Sequence, residues 1–325
     1  MARTTLLLCV LLLAVAGCGG VSGGNDRPNE DASLLLDFTP NAVHAGIYLA
    51  TERAYDEAEG VNLDVRAPGA STDSLRLLQA GRVDMAILDI HDLALAREQK
   101  RDVVGVMALV QRPLAAVLAQ PSIVRPRDLE GKRAGVTGLP SDVAVLRSVV
   151  AGDGGNPDAV KTTTIGFEAV KALLARRVDA ATAFWNVEGV ALKARRPGIR
   201  EFRVDDYAAP PYPELVLCTT RATLTDKRPV VAATIRALQR GYAEADNDPE
   251  SAISALVAAN PDLDRNAAAA QLDAVGPAFT AGADYDGQLR EGALRRWAAW
   301  DLKFGIVKKP IDVASAFDLS LAAAP

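Results

Sequence analysis

Histidine and cysteine are nearly missing from this chain of 325 residues, which has two of the first and three of the second. Cys9 and Cys18 lie near the start, so Cys218 stands alone in the rest of the chain and no intramolecular disulfide can staple it. His44 and His91 are too few for a Cys/His cluster, and no metal or cofactor is expected. Aromatic residues make up only 5%, so those in loops beside polar residues carry extra weight. Lys and Arg number 36 against 41 acidic residues, a formal charge of −5 with both signs mixed, and no basic patch is interleaved with aromatics. Nucleic-acid binding is disfavoured on that ground.

Long apolar runs are also missing beyond the first stretch. Arg3 precedes an apolar block from Leu6 to Ala16 that closes on Gly17-Cys18. A block of about a dozen residues is too short for a permanent membrane helix and has the form of a secretory signal. Its end resembles a bacterial lipobox, with Cys18 as the lipidated N-terminus of the mature chain. The segment Gly19-Gly20-Val21-Ser22-Gly23-Gly24 follows as a flexible tether. The expected division is 1–17 signal, 18–32 tether, 33–122 first lobe, 123–222 second lobe, and 223–325 a return to the first lobe with a helical tail.

From residue 33 the pattern alternates strand and helix. Val61, Leu63 and Val65 alternate with Asn62, Asp64 and Arg66, the period of a half-buried strand. Ser71-Thr72-Asp73 caps a helix that stops at Gly81, and Met85 to Leu88 is a short apolar strand ended by Asp89-Ile90-His91-Asp92. Asp92 reads as a helix N-cap. Further strands cover 103–110, 115–119, 162–165, 178–184 and 215–220, and Pro121 to Pro126 interrupts the pattern. The alternation predicts mainly parallel sheets covered by helices. Beyond Asp226 the chain reads as helical, with Pro229 in a first turn.

Two segments combine a strand end, a helix start and polar or aromatic side chains. The first is Asp37-Phe38-Thr39-Pro40-Asn41-Ala42-Val43-His44-Ala45-Gly46, and the second is Phe184-Trp185-Asn186-Val187-Glu188-Gly189. Strand ends and helix N-termini are where α/β proteins hold ligands. Asp37, Phe38, Asn41 and His44 are candidates from the first, although His44 and Phe38 also suit a core. Asp89 and His91, and Ser141 in the turn Gly138-Leu139-Pro140-Ser141-Asp142, are further candidates. Cys218 reads as a small buried hydrophobe.

The first segment resembles the opening motif of the ThiY-like solute-binding proteins for thiamine-pyrimidine precursors. Their first strand runs Asp-aromatic-x-Pro-Asn before a His-x-Gly helix. Asp128-Leu129-Glu130-Gly131-Lys132-Arg133-Ala134-Gly135-Val136 resembles the second-lobe entry of many two-lobed binding proteins. The segment from Asp206-Tyr207 to Pro211-Tyr212-Pro213-Glu214-Leu215 resembles another family stretch, with Ala208 where Gly is usual. Asp89-Ile90-His91 departs from the Ser-Tyr-Gln usual there.

The resemblance implies an α/β, two-lobed periplasmic-binding-protein type II fold whose helical tail packs on the first lobe. It implies a monomeric lipoprotein outside the membrane that passes a planar nitrogen heterocycle to an ABC permease and ATPase, with no catalysis. By resemblance Asn186 and Glu188 meet ring nitrogens and an exocyclic amine, Trp185 closes over the ring, and Tyr212 lines the cleft, with Glu214 bracing the hinge. Riboflavin or a sulfonate such as taurine are alternative ligands on the same fold. A thiamine-pyrimidine synthase-like enzyme is the rival outside binding, but the fungal enzymes carry a cysteine-rich motif absent from this chain.

Overall fold

A computed structural model describes residues 29–69, 74–207 and 209–324. Cys18 and the cap Ser71-Thr72-Asp73 lie outside the described residues. Among the described residues ten strands form: β1 (Glu30–Leu35), β2 (Val61–Arg66), β3 (Met85–Asp89), β4 (Val103–Ala108), β5 (Ala115–Ala119), β6 (Arg133–Val136), β7 (Lys161–Thr164), β8 (Ala180–Phe184), β9 (Arg200–Arg203) and β10 (Leu215–Thr220). They form two five-stranded sheets, ordered β2-β1-β3-β10-β4 and β7-β6-β8-β5-β9. β2 shows the expected alternation, with Val61 buried and Asn62, Asp64 and Arg66 exposed. β4 and β5 are buried along their whole length, as their unbroken apolar runs require.

Each sheet has one reversed strand. β10 runs antiparallel to both β3 and β4, and β5 runs antiparallel to both β8 and β9. In both cases the reversed strand has just crossed from the other sheet, so it enters from the opposite end. The chain therefore passes between lobes at 109–114 and again at 204–214. This corrects the expected boundaries near 122 and 222. Strand 115–119 belongs to the second lobe and strand 215–220 to the first. The Pro121–Pro126 loop lies within the second lobe. The first crossing, Leu109 to Leu114, is buried apart from half-buried Arg112, so its polar Gln111-Arg112 break is tucked between two core strands and does not read as a lobe boundary.

The long helix Arg221–Asn247 breaks at Lys227 (φ −129°, ψ 27°), two residues before Pro229. Proline has no N–H and restricts the preceding backbone, so the second part starts afresh there. That part packs on the first-lobe helix Ala45–Glu52. A Cβ at Gly46 would lie 2.6 Å from the Tyr242 ring, so the two helices touch closely only because residue 46 is glycine. The helix Arg265–Val275 touches the 42–44 turn of the first lobe and also residues 185–195 of the second. Cys218 is fully buried in β10.

Candidate functional site

After β1 the chain turns at Asn41, whose side-chain oxygen accepts Val43 N–H at 3.1 Å and whose amide donates to the Thr39 carbonyl at 3.0 Å. His44 Nδ1 accepts Asn41 N–H at 3.2 Å, which closes a reciprocal cap. A backbone N–H can only donate, so Nδ1 holds a lone pair and the proton sits on Nε2. That N–H donates to Asp37 Oδ1 at 2.8 Å. His44 is wholly buried and off the cavity wall. Its expected ligand contact is therefore corrected: it aims Asp37.

In the second lobe β8 ends at Phe184 and passes into a single π-helical turn, Trp185–Gly189. Such turns redirect side chains within a short span. Asn186 faces the cavity and is 1% exposed, and its side-chain oxygen has no hydrogen-bond partner. Glu188 Oε2 accepts Phe184 N–H at 3.3 Å. Trp185 goes the other way. Its indole N–H donates to the Pro113 carbonyl at 2.9 Å and the Arg203 guanidinium lies 3.9 Å over its ring. It buttresses the first crossing and does not close over a ligand. The turn before helix Pro140–Gly152 is held by Asp142, which accepts Thr137 N–H at 2.6 Å and the Thr137 hydroxyl.

These strand ends enclose a cavity of about 140 Å³ between the lobes. Asp37, Phe38, Asn41, Asp89 and Asp92 line it from the first lobe, and Ser141, Asp142, Phe167, Phe184, Asn186 and Glu188 from the second. Leu88, Leu114, Val187 and Leu215 supply apolar wall. The Phe38 and Phe167 rings meet across the cleft with centroids 5.9 Å apart. Five carboxyl groups face this space, and no Lys or Arg among the described residues does. Burial pushes the carboxyls of Asp92, Asp142 and Glu188 above their ordinary range, with Asp37 adding to the shift of Asp92 and Asp142 to that of Glu188. Asp89 is pushed well up by burial, against the opposing pull of His91. The structure makes Asp89, not Asp92, the N-cap of helix Ile90–Glu98: its Oδ1 accepts His91 N–H at 2.7 Å.

His91 and Tyr212 do not line the cavity; they form the polar core of the hinge. His91 Nδ1 lies 2.9 Å from Asp301 Oδ1, and Nε2 lies 3.2 Å from the Tyr212 hydroxyl and 3.7 Å from Glu214 Oε1. Burial alone would lower its pKa, but the carboxylates of Asp301, Asp89 and Glu214 outweigh it and push it up to about 10. That shift favours a protonated ring among acids, and the Trp297 indole N–H also points at Nδ1, at 3.3 Å. Glu214 Oε2 also accepts Leu114 N–H at 2.7 Å and Ala115 N–H at 3.0 Å, so the second crossing grips the first, the bracing role anticipated for Glu214. Among the described residues Asp89, His91 and Glu214 have donor atoms within 4.8 Å of one another. That trio does not fit a metal, because the fold already engages its donors: Asp89 Oδ1 caps helix Ile90–Glu98, the His91 ring nitrogens face Asp301 and Tyr212, and Glu214 grips the crossing.

Of the candidates read from the sequence, the structure gathers Asp37, Phe38, Asn41, Asp89, Ser141, Asn186 and Glu188 on one wall or the other. It sets His44, His91, Trp185 and Tyr212 behind them. Phe167 escaped notice, although an aromatic between Gly166 and Glu168 is the kind of loop ring that a chain poor in aromatics makes conspicuous. Asp92 and Asp142, which the local pattern marks as a helix cap and a turn residue, also line the cavity.

Two mixed sheets joined by paired crossings, with a cavity at the strand ends between them, define a two-lobed binding protein of the periplasmic type II fold. The chain belongs to the NMT1/THI5-like family, whose profile matches residues 41–252. It is 33% identical over 256 residues to the formylaminopyrimidine-binding protein of Halalkalibacterium halodurans, covering 78% of this chain and 77% of that one. It is 25% identical over 241 residues to the 4-amino-5-hydroxymethyl-2-methylpyrimidine phosphate synthase of Legionella pneumophila, covering 71% and 74%. Among solved structures, the alkanesulfonate-binding protein SsuA of Xanthomonas axonopodis pv. citri bound to MOPS shares the fold at a TM-score of 0.68 and 16% identity, covering 90% of this chain and 99% of that one.

Proposed function

We propose that this chain is the solute-binding component of an ABC importer and captures a small, planar, amine-bearing heterocycle of the pyrimidine-precursor class. The observation that carries this reading is the cavity wall: five carboxyl groups, an unpartnered Asn186 oxygen and aromatic faces, with no basic side chain among the described residues. Carboxylates and an amide oxygen accept hydrogen bonds from ring N–H and amino groups, and Phe38 and Phe167 can cover a flat ring. The name of the 33% identical relative supports the same class.

The wall also separates this reading from its rivals. A sulfonate would meet carboxylates instead of the cations it needs. A space of about 140 Å³ is close to the roughly 150 Å³ that holds one benzene ring, and a three-ring flavin exceeds it. Binding without chemistry suits the site, because the polar groups of its wall act as hydrogen-bond acceptors and caps; the relatives named as synthases match at lower identity. The same reading includes tethering outside the membrane through a lipid on Cys18, delivery to a permease and ATPase, and action as a monomer.

Calorimetry with a formylaminopyrimidine, hydroxymethylpyrimidine, thiamine, riboflavin and taurine tests the ligand class. Binding of a one-ring pyrimidine ahead of riboflavin and taurine is expected, and binding of taurine with failure of every ring compound overturns the reading. Intact mass of membrane-extracted protein tests the anchor, with a diacylated Cys18 at the mature N-terminus as the expected result. A chain cut elsewhere with unmodified Cys18 removes it.

A further inference from the structure

The acidic cavity wall is divided between two bodies that a hinge brings together. Asp37, Asp89 and Asp92 stand on the first lobe, and Asp142 and Glu188 face them from the second. The partners that the protein gives most of them are uncharged donors: His44 Nε2–H for Asp37, His91 N–H for Asp89, the Thr137 N–H and hydroxyl for Asp142, and Phe184 N–H for Glu188. Among the described residues the cation packed behind the wall is the His91 ring; it pulls on Asp89, Asp92 and Asp142 from there but is shared with Asp301 and Glu214 beside the Tyr212 hydroxyl. Arg112, on the first crossing, is paired with Asp205 on the second at 2.7 Å. Carboxylates from two lobes enclosed in about 140 Å³ do not all remain ionised without a positive charge among them.

We propose that closure of this cleft is proton-linked: the enclosed ligand is bound with a net positive charge, and a heterocycle that is neutral in solution takes up one proton from water as the lobes close. The proton resides on a ring nitrogen of the ligand, facing the carboxylates of the two lobes. This rests on the reading of the site as a heterocycle-binding cleft and adds the charge state of what it holds. The same arrangement keeps the lobes apart at neutral pH when no ligand is present, since closing would press carboxylate on carboxylate. It also turns away anions of the right shape. The upward displacement of the Asp92, Asp142 and Glu188 carboxyls by burial, with Asp37 adding to that of Asp92 and Asp142 to that of Glu188, agrees with this division.

The test is calorimetry of the full chain with a formylaminopyrimidine in buffers of different ionisation enthalpy, from about pH 5 to about pH 8. Uptake of about one proton per ligand at the upper end is expected, with affinity falling about tenfold per pH unit there. Heats that are identical in all buffers at every pH overturn the proposal. Asp92→Asn, which keeps the side-chain shape, should flatten the pH slope, and an unchanged slope in a folded variant counts against Asp92 as one of the linked groups. If the pyrimidine does not bind at all, it is the ligand class that has failed. X-ray scattering of the ligand-free protein then decides the proton link alone. A smaller radius of gyration at about pH 5 than at about pH 8 supports it, and an unchanged profile overturns it.

Discussion

At the hinge, Asp89, Glu214 and Asp301 converge on the His91 ring; in the cavity, a few ångströms away, Asp37, Asp92, Asp142 and Glu188 converge on a space with no base among the described residues. Both groups are buried and both are acidic. The hinge group contains its own cation, and it ties helix Ile90–Glu98, the second crossing and the C-terminal helix Glu291–Phe304 into one unit. In the cavity group the hydrogen-bond donors to Asp37, Asp142 and Glu188 are neutral, and the Asn186 oxygen beside them has none. A buried carboxylate that serves architecture is given its counter-charge by the fold, whereas one that serves recognition is left to find it in the ligand.

Removing the hinge cation is the strongest way to break this comparison. His91→Ala leaves three carboxyls without their counter-charge and should cost about 3–5 kcal/mol of folding stability in denaturant titration. A loss below about 1 kcal/mol would show that the hinge acids are neutral in the fold. The pH dependence has a matching sign. The His91 pKa is raised to about 10, so its contribution is complete below the unfolded value of about 6.5 and is lost as pH rises toward about 10. Thermal melts of the parent should fall over that interval more steeply than those of His91→Ala.

Trp185→Ala should likewise cost about 3–5 kcal/mol in stability, because a ring 3% exposed is removed from against the first crossing. Ligand affinity in the remaining folded protein should change little, which separates buttress from binding wall. Glu188→Gln reverses that pattern. It should weaken ligand binding by about 2–4 kcal/mol in calorimetry while leaving the melting temperature close to the parent's. Unaltered affinity would take Glu188 out of recognition. The smallest effect belongs to Phe167→Ala. Phe167 is 53% exposed and touches Phe38 only across the cleft, so about 1 kcal/mol of affinity is expected, read as faster dissociation in stopped flow. Arg195→Ala, on an exposed surface, is the control for all four.

The two strand-end segments were legible because the features that make them, an apolar strand, a Pro-Asn or aromatic-Asn break and a helix start, are local. Asp37, Asn41, Asn186 and Glu188 stand where that grammar puts them. His91 was not legible as a hinge cation because its counter-charge, Asp301, comes 210 residues later. Trp185 misled for a related reason: whether a ring after a strand faces the cleft or the crossing depends on the π turn and on Arg203 and Pro113, none of which alters the local pattern. The boundary at 109–114, and not at Pro121–Pro126, escapes a reading of the sequence because proline-rich segments announce loops, while a short, mostly buried connection between two core strands does not announce a change of lobe.

The reversed strand of the first sheet has a consequence for the order in which the molecule comes into being. β10 sits between β3 and β4, so that sheet cannot be completed until residue 220 has been added, and the ring of His91 cannot meet Asp301 until residue 301 has been added. The first lobe, although it begins the chain, is the last to be sealed, and the second lobe, whose strands run without interruption from 115 to 203, can assemble while the first is still waiting for its closing strand. Long-range pairings of this kind slow folding. A growing chain would therefore carry a finished inner module between two unfinished ends for much of its synthesis.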